Sequence, residues 1–176
     1  MRCGRVVSRL KDFLVNELTQ MQRSCSENIN RHRLDQAFAD RQFGPAARVW
    51  EPRKLRVLVI EDDSDTAESM SRLIGLWGHD VRRATSARAG LNEAFAYRPD
   101  FVLLDIGMPM MDGFSLARQL RLDPGLRGCC IVAITGYGDA EQRRRSYDAG
   151  INLFLVKPVD PLMLENLLNL ESMNVD

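Results

Sequence analysis

The sequence predicts a doubly wound α/β domain with a parallel sheet, preceded by an N-terminal extension. Three observations support this. From Leu55 onward, continuous apolar runs of four to six residues recur, amphipathic stretches with helical spacing separate them, and polar side chains follow the runs. Continuous rather than alternating apolar runs fit strands covered by helices on both faces. Five strand–helix repeats in about 120 residues leave a parallel sheet as the simplest packing.

The first strand is predicted at Leu55–Ile60, and Thr66–Trp77 follows as a helix with Ala67, Met70, Leu73, Ile74 and Trp77 on one face and Gly78 as its stop. Asp63 and Ser64 both suit its N-cap. Asp65 falls in the first turn, where negative charge suits the helix dipole. Val81–Ala84 is a weaker run and reads as an edge strand. Ala87–Tyr97 repeats the helical pattern with Leu91, Ala94 and Phe95, and Pro99 stands beyond its end. Phe101–Leu104 is the third strand, and Phe114–Leu122 the third helix, ending at Asp123-Pro124-Gly125. Ile131–Ile134 is the fourth strand. Ala140–Ala149 is the most polar helix and closes at Gly150; its Arg143-Arg144-Arg145 triplet reads as a solvated face. Ile151–Val156 and Leu162–Leu170 complete the set.

Residues 1–54 differ in kind. Val7, Leu10, Leu14, Leu18 and Met21, with Val6 and Phe13, recur at helical spacing and suggest an amphipathic helix that docks or dimerises. Residues 24–41 are polar, and Gln42–Lys54, with Gly44, Pro45 and Pro52, reads as a linker. This part holds eleven Lys+Arg against six Asp+Glu, whereas 55–176 holds thirteen against eighteen. Opposite excesses of five charges suggest parts that differ in kind or touch. No apolar run reaches the ~18 residues of a membrane span, and Arg and Lys interrupt the start too often for a signal peptide. Cys3, Cys25, Cys129 and Cys130 lack metal-ligand spacing. Adjacent Cys129 and Cys130, in an apolar run, read as buried thiols and suit a reducing cytoplasm.

Ligands of a parallel α/β sheet bind outside the carboxyl ends of its strands. Glu61 and Asp62 follow the first strand, Asp105 the third, Thr135 the fourth, and Lys157-Pro158 the fifth. Three carboxylates gathered there repel unless a cation sits among them. Oxygen ligands suit a hard divalent ion such as Mg²⁺, and a lysine at the rim meets a phosphoryl group as a point charge. Together these groups make a phosphoryl-transfer site in which an Asp can be the nucleophile. Lys157 is the only lysine after Lys54 in a chain with 21 Arg and 3 Lys. Arginine's fork does not replace a compact ammonium.

Residues 55–172 resemble a response-regulator receiver domain of bacterial two-component signalling. The resemblance rests on VIEDD, on Asp105 in LLDIGMPMMDG, on Thr135 in AITGYG and on Lys157 in LFLVKPVD. Asp62, Asp105, Thr135 and Lys157 stand 43, 30 and 22 residues apart, as in that family. It implies a flavodoxin-like (βα)5 sheet of order 2-1-3-4-5 for residues 55–176. Asp105 would accept a phosphoryl group from a phosphohistidine, on a histidine kinase or a histidine phosphotransfer protein. Glu61, Asp62, Asp105 and the backbone carbonyl of Gly107 would hold Mg²⁺. Lys157 would pair with Asp105 and then with the phosphoryl oxygens, ahead of a cis bond to Pro158. Thr135 would swing to the phosphoryl group and Phe154 would follow as an aromatic switch. A downstream protein would read the face of the fourth helix, fifth strand and fifth helix. Gly107 and Tyr137 occupy sites that in the family govern how fast the acyl phosphate hydrolyses.

Other readings follow from single residues. Asp105 alone would be a turn or cap, Lys157 a surface lysine, and Phe154 a core residue. Met108, Met110 and Met111 around Pro109 are accounted for by packing on the third helix. LLDIGMPMMDG and AITGYG are also similar to phrases in hybrid-kinase receivers, so a receiver fragment of such a kinase is an alternative. His32 lacks the context of a kinase histidine box. An aspartyl-nucleophile phosphatase would want a second acid where Gly107 stands, and a phosphorylation-free scaffold would not keep all five site residues. No turnover enzyme, no output domain after the fifth helix and no direct nucleic-acid contact are expected, and a homodimer is an open expectation.

Overall fold

The computed structural model describes residues 53–108, 112–136 and 139–173. Five strands, β1 (Arg56–Ile60), β2 (Asp80–Ala84), β3 (Phe101–Asp105), β4 (Cys130–Thr135) and β5 (Leu153–Val156), form one sheet. Its order is β2-β1-β3-β4-β5, and every pairing is parallel. Five α-helices alternate with the strands: α1 (Ser64–Leu76), α2 (Ala87–Tyr97), α3 (Gly113–Leu122), α4 (Ala140–Asp148) and α5 (Pro161–Ser172). A short 3-10 turn, Pro124–Leu126, follows α3.

The uninterrupted apolar runs follow from period-two alternation between two buried faces. Leu58, Ile60, Val102, Leu104, Ile131 and Ala133 pack with Ala94, Leu116 and Leu120, on the α2–α3 side. Val57, Val59, Phe101, Leu103, Val132 and Ile134 pack with Ile74, Leu164 and Leu168, on the α1–α5 side. Fully buried side chains of this size each contribute about 1.5–3 kcal/mol of transfer free energy. β2 is the exception and lies at the edge. Its Asp80, Arg82 and Arg83 are exposed, and charge on an edge strand discourages pairing with other chains.

Local chemistry fixes the boundaries. Asp63 is the N-cap of α1, accepting from the Thr66 N–H at 2.7 Å, so Ser64 is the first helical residue. Asp160 caps α5 and Pro161 occupies its first position, where a missing N–H costs nothing. β3 and β4 each run one residue past the apolar stretch, which makes Asp105 and Thr135 strand residues. β5 starts at Leu153 rather than Ile151, because the Ile151 N–H is taken by the Ser146 carbonyl at 3.0 Å in the turn after α4. Gly113 is required: a Cβ there would lie 2.7 Å from the Ile106 backbone, in the loop that leaves β3. The α4 arginines are exposed, as expected, although the Arg145 guanidinium sits 4.6 Å from the Phe114 ring centre. Met108 is buried on the α2–α3 side. Cys129 and Cys130 are buried on opposite faces of the sheet.

The helical pattern of residues 6–21, the polar stretch 24–41, most of the linker, Cys3, Cys25, His32, Pro109, Met110, Met111 and Tyr137 lie outside the described residues. Among the described residues, no helix is long and apolar enough to cross a membrane.

Candidate functional site

Parallel strands deliver their carboxyl ends to one edge, and there the polar residues converge. Glu61 follows β1 with its N–H bonded to the Ala84 carbonyl of β2 at 3.1 Å, and only 3% of it is exposed. Asp105, the last residue of β3, is 8% exposed, while Asp62 faces solvent. Each of the three offers a carboxylate oxygen within 4.8 Å of the others.

Lys157, directly after β5, reaches across the edge into this group. Its ammonium donates to Asp105 Oδ2 at 2.7 Å and to Glu61 Oε2 and Oε1 at 2.8 and 3.1 Å. Its backbone N–H donates to the Thr135 carbonyl at 2.7 Å, locking the residue to the end of β4, and its bond to Pro158 is cis. The other Asp105 oxygen, Oδ1, accepts the Gly107 N–H at 2.7 Å. A Cβ at Gly107 would stand 3.2 Å from that oxygen, so glycine keeps the exposed side of the carboxylate open.

The electrostatics leave a surplus of negative charge. Burial raises the Glu61 carboxyl above its ordinary range; the hydrogen bond from Lys157 opposes this, and the neighbouring Asp105 charge adds to it. Burial alone would lower the Lys157 ammonium, but its bonds to Asp105 and Glu61 outweigh that and raise it. One ammonium faces three carboxylates. Oxygen donors with net negative charge at this separation fit a hard divalent cation.

Thr135 is buried at the end of β4, beside the site. Phe154 lies away from the edge, half-buried against the α2–α3 side, and the sheet register sets it beside Ala133, two residues before Thr135 on the same face. The Arg143 guanidinium stands 5.9 Å from its ring centre. The structure thus brings Glu61, Asp62, Asp105, Gly107 and Lys157 together, sets Thr135 alongside, and keeps Phe154 one step behind.

Two supports escaped the sequence reading. Asp112 caps α3 by accepting the Phe114 N–H at 3.2 Å, and also meets Arg145 of α4 at 3.4 Å, tying the loop after Asp105 to α4. Asp-Gly ahead of an apolar helical run was the available signal. Arg121 leaves α3 to donate to the carbonyls of Gly150, Leu126 and Cys129 and to Asn152 Oδ1, at 2.6–3.1 Å. Nothing local in the sequence announces that contact.

Residues 57–169 match the model of the response regulator receiver domain, and the chain belongs to that family. The transcriptional regulatory protein PrrA of Mycobacterium tuberculosis is 38% identical over 104 residues, covering 58% of this chain and 43% of that protein. The chain therefore spans less than half the length of this curated relative. Chemotaxis protein CheY4 of Vibrio cholerae superposes with a TM-score of 0.62 at 26% identity, covering 64% of this chain and 94% of that one. The receiver domain of a signal transduction histidine kinase from Syntrophus aciditrophicus gives 0.60 at 27% identity, covering 65% and 86%. A receiver domain of two-component signalling is thereby established, with an acidic group suited to a divalent ion.

Proposed function

We propose that this chain is a phosphorylation-dependent signalling receiver, in which Asp105 accepts a phosphoryl group from a phosphohistidine and the resulting change alters partner binding. The observation that carries this is the Lys157 ammonium bridging Glu61 and Asp105 within a group of three carboxylates. Glu61, Asp62, Asp105 and the Gly107 carbonyl would hold Mg²⁺, which when bound offsets the charge of the carboxylates and of the incoming phosphoryl oxygens.

An Asp105 carboxylate oxygen attacks phosphorus while the phosphorus–nitrogen bond of the donor breaks. The electron pair leaves with the imidazole nitrogen, and an acyl phosphate forms on Asp105. Lys157, held at its backbone to β4, exchanges a carboxylate oxygen for a phosphoryl oxygen. Thr135 donates its hydroxyl to another phosphoryl oxygen, and Phe154, one step along the same face, moves inward after it. The change reaches α4, β5 and α5, where Tyr147, Val156 and Leu162 expose apolar surface to a protein target. The donor is a histidine kinase or a histidine phosphotransfer protein, and the setting is cytoplasmic.

Likeness to the receiver of a histidine kinase favours one second reading, in which the chain is the receiver part of a hybrid kinase; Asp105 has the same role there. An aspartyl phosphatase has less support, because Gly107 supplies no second acid.

Incubation of the full chain with acetyl phosphate and Mg²⁺ adds one phosphoryl group by intact mass, and Asp105→Asn abolishes it. Equal labelling of the variant would remove Asp105 from this role.

A further inference from the structure

A groove of about 750 Å³ lies beside the site, between α1 and the start of α5. Met70, Leu73, Ile134, Val159 and Leu164 give it an apolar floor, and Asp65 and Lys157 line its upper end. Asp65 lines it, Asp63 and Asp160 are the N-caps of the two helices that flank it, and its Lys157 is already paired with Glu61 and Asp105. An apolar trough flanked by these carboxylates suits a basic amphipathic helix.

The chain carries such a segment. Val7, Leu10, Leu14, Leu18 and Met21 fall on one stripe, and residues 1–23 hold five basic side chains against two acidic ones. A helix of this length is marginal alone and needs a surface to lie on. The tether also reaches. Arg53 enters the fold through its N–H to the Ser172 carbonyl, at the far end of α5 from the groove. The 12 residues of α5 span about 18 Å at 1.5 Å per residue. Residues 22–52 as a flexible chain span about 30 Å.

We infer that the segment Val6–Met21 docks intramolecularly in the α1–α5 groove, its apolar stripe on Met70, Leu73 and Leu164 and its basic face toward the flanking carboxylates. Tethering supplies an effective concentration on the order of 1 mM, so a segment with an intrinsic Kd of about 0.1 mM is docked about ten to one. This deepens the proposed function and rests on it for its consequence. Lys157 borders both the groove and the phosphoryl-accepting edge. A docked segment therefore stands in the path of a protein donor and leaves the edge open to a small one.

Hydrogen–deuterium exchange on the full chain at low micromolar concentration tests the docking directly. In the Leu10→Asp/Leu14→Asp chain, peptides 64–73 and 157–166 exchange about tenfold faster than in the native chain, while 101–105 is unchanged and both chains sediment as monomers. Unchanged exchange in α1 and α5, or protection tied to a dimer that the substitutions dissolve, would overturn the proposal. Should the double substitution also loosen 101–105, Val159→Asp supplies the reciprocal readout. Exchange across 6–21 then speeds up by a similar factor, and no change there counts against docking. Acetyl phosphate labels the native and the Leu10→Asp/Leu14→Asp chains alike; failure to label the native chain sinks the acceptor reading and leaves the exchange result to decide the docking.

Discussion

The two edges of the sheet both cluster carboxylates with cations, but in opposite proportions. At the amino edge, Asp100 meets Arg53 at 3.1 Å and Arg56 at 3.3 Å, and accepts the Arg56 backbone N–H at 2.9 Å. Burial would push its carboxyl up; the side-chain and backbone bonds from Arg56 and the bond from Arg53 outweigh that and hold it below the usual range. At the same edge Arg121 spends its guanidinium on three carbonyls and Asn152. At the carboxyl edge three acids gather around one lysine, which bonds Glu61 and Asp105, and burial leaves Glu61 above its ordinary range. An edge whose carboxylate is fully paired and whose remaining guanidinium bonds carbonyls holds strands together. An edge with unbalanced charge stores a demand for a cation, and that imbalance separates the candidate site from a structural ion pair.

The largest effect is expected at the lysine. Lys157→Arg keeps the charge and loses the compact ammonium, so labelling by acetyl phosphate slows about a hundredfold; a rate near native would show that the cation's shape is irrelevant. At the other edge, Arg121→Ala removes four hydrogen bonds, to Asn152 Oδ1 and to three carbonyls, and lowers unfolding stability by about 2 kcal/mol, with the labelling rate preserved per folded molecule. Denaturant melts and labelling on the same samples separate the two effects.

Smaller effects sharpen the contrast through their sign. Asp62→Asn weakens Mg²⁺ affinity about tenfold by removing one ligand charge. Without divalent ions the same change relieves repulsion and raises Tm by about 2 °C; a fall in Tm under those conditions would mean the acidic group is already balanced. Asp100→Asn acts oppositely and lowers stability by about 1 kcal/mol at neutral pH. Because the Asp100 pKa is depressed in the fold, its contribution is complete above the ordinary carboxylate pKa of about 3.9 and disappears as pH falls through the folded value. Native and variant melts therefore converge on acidification, and a gap that persists at low pH would contradict the ion-pair account.

Much of this was legible in the sequence, because the edge that carries function is punctuated by the strands themselves. Glu61, Asp105, Thr135 and Lys157 are the polar residues that end or follow apolar runs, and parallel topology brings such ends together. The uninterrupted runs likewise announced two covered faces, and the charged Val81–Ala84 stretch announced the edge. What stayed hidden depends on contacts distant in sequence. Arg121 bonds to Asn152, 31 positions away, and no periodicity marks it. The choice between Asp63 and Ser64 turned on which side chain accepts the Thr66 N–H, and the start of β5 on which acceptor took the Ile151 N–H.

Asp105 is the proposed phosphoryl acceptor of the unbalanced edge. The most direct test of this role is to map the phosphoryl group by peptide mass after treating the full chain with acetyl phosphate and Mg²⁺. The group is expected on the peptide that contains Asp105, and labelling falls away when the divalent ion is chelated. A phosphoryl group found on the peptide of Asp62 and Asp63, or labelling indifferent to the ion, would contradict it.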